Sequence, residues 1–140
     1  MYIHAYLTFH GKAEEAIGFY RQALGAKIEM LMRFNEAPEA PPPGMLPPDW
    51  GHKVMHASIT VGDQRIMMSD GGCQGGSTGF QGFALSVAVS DMAEADRIFA
   101  ALSEGGTVTM PQSTTFWSPR FGMLTDRYGV AWMVMVTPPI

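Results

Sequence analysis

Four histidines, His4, His10, His52 and His56, are the residues of this chain with the widest chemical reach near neutral pH, because imidazole titrates there and binds the common divalent metals. His56 lies mid-strand in "VMHAS", where strand alternation gives it a face shared with Val54, Ser58 and Thr60. His4 stands in the apolar N-terminal stretch, and His10 and His52 fall in turn or loop positions. A metal ligand at His4 or His56 is one reading; a hydrogen-bonded imidazole in a cavity or at the surface is the other, and we take the second. Ser69, His56 and Asp70 assemble a hydrolytic triad on paper only. Adjacent Ser69 and Asp70 point to opposite faces of a strand, and no nucleophile elbow is present. Asp70 and Asp126 each stand at a strand end close to glycine, which favours a turn-forming role over a catalytic one. Trp117, in "TTFWSPRFG", has the ring to stack on a flat ligand or to pack against a loop. Cys73, in "GGCQGGSTG", has nothing beside it in sequence to activate a thiol. The glycine run at 71–82 leads into a strand and not a helix, so it is not a phosphate or dinucleotide loop.

Composition narrows the partners. With 140 residues the chain suits one ordinary domain. A net charge of −4 with nine dispersed Lys and Arg provides no footprint for nucleic acid or an anionic membrane. No apolar run is long enough to span a bilayer, and "MYIHAYLTF" lacks the basic start of a signal peptide, so we expect a cytoplasmic protein. One cysteine allows no internal disulfide, in keeping with a reducing compartment. Twelve methionines and three tryptophans suit an adaptable apolar pocket or a mobile core.

The elements that must hold these residues follow from periodicity. "IHAYLTF" (3–9) reads as a strand, and Ala13, Ala16, Ile17, Tyr20 and Leu24 then recur at helical spacing, with Glu14 and Glu15 in the first turn and Gly25 as the stop. "AKIEMLMRF" (26–34) returns to strand character. The stretch 37–50, "APEAPPPGMLPPDW", is a proline-rich loop. "KVMHASITVG" and "QRIMMSD" form a hairpin about Gly62-Asp63. The order then restarts: "GFALSVAV" (82–89) is a strand, and Asp91 with Glu94 makes a capping box for a helix carrying Ala95, Ile98, Phe99 and Leu102, closed by Gly105-Gly106. "TVTM", "RFGMLTD" and "VAWMVMV" are three further strands. The last has Val130, Trp132, Val134 and Val136 on one face and Ala131, Met133 and Met135 on the other, so both faces are apolar. A shift of 79 residues lays Ala5 on Ala84, Glu15 on Glu94, Ala16 on Ala95 and Tyr20 on Phe99. The chain therefore reads as a single domain, 1–140, made of two βαβββ modules, about 1–71 and about 80–137. A sheet covered by one helix leaves its second face open, and two modules together can turn that face into a cavity.

The segments "EEAIGFYRQALGA", "HASITVGDQRIMMSDGG" and "TTFWSPRFGMLTDRYGVAWMV" resemble the vicinal oxygen chelate superfamily of glyoxalase I, extradiol dioxygenases and bleomycin-resistance proteins, and within it the PhnB-like group. The resemblance implies an α+β fold of paired βαβββ modules in a half-open, barrel-like sheet with the helices outside, and commonly a homodimer. It also implies, for catalytic members, a divalent metal held by four His or Glu from the first and last strand of each module. Counting from the shared motifs places Ala5, Ala84, Met133 and either Met67 or Met68 at those four stations. None of these side chains ligates Zn²⁺, Mn²⁺ or Ni²⁺, and thioether suits chiefly Cu(I). His4 is one residue away, so a bulge would be needed to turn it inward.

These readings lead to a PhnB-like homodimer binding a small hydrophobic molecule in a metal-free cavity, with His56, Met67, Phe83, Trp117 and Met133 as the expected pocket residues. No cofactor is expected, and no catalytic residue is assigned. Neither nucleic acid nor membrane is an expected partner. The alternative is a lyase or dioxygenase of glyoxalase type whose divalent metal is held by a rearranged set such as His4 and His56. Which strand parity faces the cavity is left open at this point, because the motif counting and the position of His56 disagree.

Overall fold

A computed structural model describes residues 1–38, 46, 48–71 and 80–137. Cys73 and most of the proline-rich stretch lie outside the described residues. The chain divides into two compact units, Met1–Ser77 and Thr78–Ile140.

The first unit runs β1 (Ala5–Thr8), α1 (Ala13–Leu24), β2 (Lys27–Arg33), β3 (Val54–Val61) and β4 (Gln64–Ser69), with a single 3₁₀ turn at Phe34–Glu36 after β2. Its sheet has the order β1-β4-β3-β2, with β1 and β4 parallel and the other pairs antiparallel. The second unit repeats the plan with β5 (Leu85–Val89), α2 (Met92–Ser103), β6 (Thr107–Ser113), β7 (Phe121–Thr125) and β8 (Ala131–Val136), in the order β5-β8-β7-β6. These are the two βαβββ modules expected of an α+β chain. β6 extends past the expected "TVTM" through Pro111, which an edge strand tolerates because it donates no ladder hydrogen bond on its outer side.

Each helix closes one face of its own sheet. α1 buries Ala13, Ala16, Ile17, Tyr20 and Ala23 and packs on β3; Leu7, Phe9, Ala57, Ile59 and Met68 form the sheet side of that core. The rings of Phe9 and Tyr20 lie 6.4 Å apart and mark this face. α2 buries Ala95, Ile98, Phe99 and Leu102 against β5, β7 and β8, where Leu124, Trp132, Val134 and Val136 answer them. The strict alternation of β8, buried at Trp132, Val134 and Val136 and half-buried between them, shows that its valine face is the core.

Helix termini differ in chemistry. Gly25 takes the left-handed conformation, φ 70°, and its N–H reaches the Arg21 carbonyl, the expected stop for α1. Asp91 is the N-cap of α2, yet its side chain makes no capping hydrogen bond, so the expected capping box with Glu94 does not form. At α1 the cap comes from elsewhere: Asp70, at the end of β4, accepts from the N–H groups of Gly11 and Ala13.

Candidate functional site

The face of each sheet opposite its helix is built by cross-strand partners, and the same rung recurs in both units. In the first, Met30 pairs with Ser58, Ser58 with Met67, and Met67 with Tyr6. In the second, Met110 pairs with Met123, Met123 with Met133, and Met133 with Ser86. Both edge strands slip register just before that rung, between Ile28 and Met30 and between Val108 and Met110. Alternation adds Met32 beside His56 in the first sheet and Met135 beside Phe121 in the second. None of these methionines belongs to the fully buried core; Met30 is 38% and Met110 41% exposed.

This pairing corrects the residue count along the chain. Tyr6 corresponds to Ser86 and Met30 to Met110, a shift of 80, whereas the helices correspond at 79. The segment between strand and helix is one residue shorter in the second unit and the segment after the helix one longer. Ala5 therefore lies on the helix side with Leu7 and corresponds to Leu85, not to Ala84. His4 is the residue that corresponds to Ala84; it stands one residue before β1, and strand alternation continued from Tyr6 would carry it to the open side. The choice between Met67 and Met68 also resolves: Met68 is fully buried beneath α1 and Met67 belongs to the open face.

His56 and Met67 thus share the open face of the first sheet. His56 also gains a partner that sequence reasoning missed. The Tyr6 hydroxyl lies 3.0 Å from His56 Nδ1, and the two rings are 5.6 Å apart. Tyr6 is on β1 and His56 on β3, so the side chains lean toward each other across β4, over a gap of roughly 10 Å between alternate strands. With the phenol donating, Nε2 carries the imidazole proton and is left to donate to a ligand. Tyr6 is 49% exposed, so the pair is accessible. The signal for Tyr6 was its parity with His4, which the count of 79 concealed.

The second-sheet candidates separate. Met133 sits at the centre of the open rung. Trp117 lies in the loop before β7, edge-on to Phe116 at 4.8 Å and to Phe121 at 5.2 Å, and is 42% exposed. Phe121 is opposite Met135, so Trp117 borders the open face. Phe83 precedes β5 and packs edge-on to Phe80, 6.0 Å away. Phe80 in turn lies near Gly129 in the β7–β8 turn, an environment set by that turn. His4 stacks on Tyr2, with 5.9 Å between ring centroids.

The two aspartates are structural. Buried Asp70 accepts the Val54 N–H on one oxygen and the Gly11 and Ala13 N–H groups on the other, fastening the start of β3 to the start of α1. Buried Asp126 accepts from the Tyr128 and Val130 N–H groups and, at 2.8 Å, from the Trp132 indole. It shapes the turn that delivers β8 and fixes the ring on its core face.

His10 and His52 line a different concavity, a cleft of about 520 Å³ at the start of α1 that also includes Lys12, Trp50, Lys53 and Asp70. Its charges are largely answered from within. Arg33 meets Glu14 at 2.6 and 3.0 Å and the His52 carbonyl at 2.8 Å, Lys53 donates to the Gly11 carbonyl, and Lys12 faces Glu15. The hydrogen bond from Arg33 holds the Glu14 carboxyl below its ordinary range, and the same bond raises Arg33.

A family model described as 3-demethylubiquinone-9 3-methyltransferase matches residues 2–135. The chain belongs to this family. Protein PA1353 from Pseudomonas aeruginosa is similar over 98% of both chains, with 43% identity and a TM-score of 0.86. The PhnB protein from Bacillus cereus is 30% identical over 98% of this chain and all of its own, with a TM-score of 0.81. Protein YjdN of Escherichia coli (strain K12) is 34% identical, covering 94% of this chain and 92% of its own. A glyoxylase/bleomycin resistance protein/dioxygenase domain from Frankia sp. EAN1pec, 19% identical with a TM-score of 0.69 over 99% of this chain and 98% of its own, shares the fold. The PhnB-like resemblance read from the sequence motifs agrees with the Bacillus cereus match, and the expected glyoxalase/bleomycin-resistance fold agrees with the Frankia domain. No helix of the described residues is long and apolar enough to cross a membrane.

The superfamily's divalent site can be tested against these residues. On the open side, the first and last strands offer Tyr6 and Thr8 with Arg65, Met67 and Ser69 in one unit, with His4 one residue before β1. In the other they offer Ser86 and Ala88 with Ala131, Met133 and Met135, with Ala84 one residue before β5. That is one imidazole and no carboxylate, and among the described residues no three His, Cys, Asp or Glu cluster as a metal site. The donor set does not fit a Zn²⁺, Mn²⁺ or Ni²⁺ centre of the superfamily type.

Proposed function

We propose that this PhnB-like protein binds a small hydrophobic molecule on its open sheet faces, without a divalent metal, and that Tyr6 and His56 hold the polar end of the ligand. The observation that carries this reading is the equivalent rung in both units, where thioether and hydroxyl side chains stand on the strands from which catalytic relatives draw metal ligands. Thioethers are polarizable and conformationally adaptable, which suits a surface that must fit an apolar guest. The half-buried His56 imidazole, held by Tyr6, adds orientation through a hydrogen bond to the ligand.

Ligand-dependent melting tests it. A panel of hydrophobic molecules carrying one hydrogen-bond acceptor is expected to contain members that raise the melting temperature, since binding to the native state alone stabilises it. His56→Leu is expected to weaken that rise. A flat response across the panel, with the variant indistinguishable from the parent, contradicts the reading.

The methyl-transfer activity in the family description finds less support. The two strand–helix connections read "FHGK" and "SD", without the glycine-rich turn by which a doubly wound fold receives a nucleotide-bearing cofactor. A metal-dependent lyase or dioxygenase is the second reading, favoured by the correspondence that brings His4 to the same side as His56. We further propose a homodimer, because Tyr6, Met30, Met110, Phe116 and Trp117 leave apolar surface uncovered. The cytoplasm is its compartment in this reading, on the single cysteine.

A further inference from the structure

Met110, Met123 and Met133 are successive partners across β6, β7 and β8. Three thioethers therefore rise from neighbouring strands about 5 Å apart on one sheet face. Thr107, Thr125 and Ala131 form the rung on one side, and Phe121 with Met135 the rung on the other. No charged side chain stands on any of these positions. Met110 is 41% exposed, and Met123 and Met133 are half-buried, so the row is open at its β6 end and enclosed toward β8.

We propose that this row is a binding site for one soft monovalent metal ion, Cu(I) or its analogue Ag(I). Uncharged sulfur is a poor exchange for the water shell of a hard or borderline divalent cation, but it is a preferred donor for Cu(I). The site needs three sulfurs to converge from a row. The unbranched methionine side chain, with three rotatable bonds, allows the outer two to turn toward the central Met123. A single positive charge among neutral donors on a partly apolar surface also requires no carboxylate counterion to be desolvated with it. The first sheet is the internal control. Its rung reads Met30, Ser58, Met67, so a hydroxyl stands between the two thioethers, and the remaining methionine of that face, Met32, follows Met30 along the edge strand and pairs with His56 instead of completing a row of three sulfurs.

The inference does not rest on the hydrophobic-ligand reading. A hydrophobic ligand bound in the absence of Cu(I), or Cu(I) bound with no response to hydrophobic ligands, separates the two. The test is anaerobic titration of Cu(I) against a chromogenic chelator, using the whole chain. The parent is expected to withdraw one ion per chain from the chelator. Met123→Leu and Met133→Leu, which keep side-chain volume, are expected to lose that competition while melting like the parent. Met30→Leu, on the first sheet, and Met92→Leu, on α2, are expected to retain it. A parent that takes no ion, or a folded Met123→Leu that takes as much as the parent, overturns the site. Ag(I) followed by the shift of the methionine methyl resonances provides the second readout, expected at residues 110, 123 and 133 and contradictory if it falls elsewhere.

Discussion

Asp70 and Asp126 do equivalent work in the two units. Each uses one oxygen for two backbone N–H groups and the other for a single donor, Val54 N–H or the Trp132 indole. Asparagine can supply only one such acceptor, and its amide N–H₂ then meets the remaining donor head-on. Asp70→Asn and Asp126→Asn are each expected to cost about 2–3 kcal/mol, read as a lower urea midpoint with unchanged slope. A loss within about 0.5 kcal/mol would contradict the buried-acceptor role. The sequence placed both aspartates as turn residues. What it could not show is reach, since the donors to Asp70 lie 57 and 59 residues away at Ala13 and Gly11. Tyr6 escaped notice for a related reason: its partner lies 50 residues on, and only the strand order brings them together.

At the scale of elements, the strands, helices and hairpin were legible from periodicity, and β8 showed its two faces in the spelling of "VAWMVMV". The equivalence of the units was legible only in part. Helix residues align at 79 because Ala16 and Ala95, and Tyr20 and Phe99, occupy the same buried stripe. The connections flanking the helices vary by one residue in opposite senses. In a strand one residue is a change of face, so an ungapped count moved Ala5 to the wrong side and left His4 there too. Packing between helix and sheet supplies a test. A methyl group on Gly122 would come within 2.6 Å of the Phe99 ring, so Gly122→Ala is expected to cost roughly 1–3 kcal/mol by overpacking, and Gly122→Ala with Phe99→Leu to recover part of it. No recovery in the double variant would argue against this contact. The link between α1 and β2 titrates. Arg33 lowers the Glu14 carboxyl in the folded state, so the unfolded chain takes up the proton first as the pH falls. Its contribution is fully present above the ordinary carboxylate range, about 4.3, and fades below it. Glu14 is largely exposed, so the effect is small. The difference in urea midpoint between the parent and Glu14→Gln is expected at pH 7 and expected to vanish in acid; a difference that persists or grows in acid has the wrong sign.

For the whole molecule, membership of the family fixes the fold and leaves the chemistry to the side chains on the open faces. The metal centre that the sequence resemblance implies for catalytic members would need imidazole and carboxylate from four strands, whereas these strands and the residues just before them present methionine, serine, alanine, tyrosine, threonine, Arg65 and the single histidine His4. The proposed homodimer would cover the exposed apolar side chains Tyr6, Met30, Met110, Phe116 and Trp117. Sedimentation at micromolar concentration is expected to show a dimer, and a monomer across that range would remove the homodimer from the account.

The most direct test of the central claim is elemental analysis of the purified chain after exposure to Zn²⁺, Ni²⁺, Mn²⁺ and Fe²⁺ and removal of unbound ion. The account predicts divalent metal far below one ion per chain, unchanged by His56→Ala. Near-stoichiometric metal that disappears with His4→Ala or His56→Ala would contradict it and put a metal-dependent enzyme in its place.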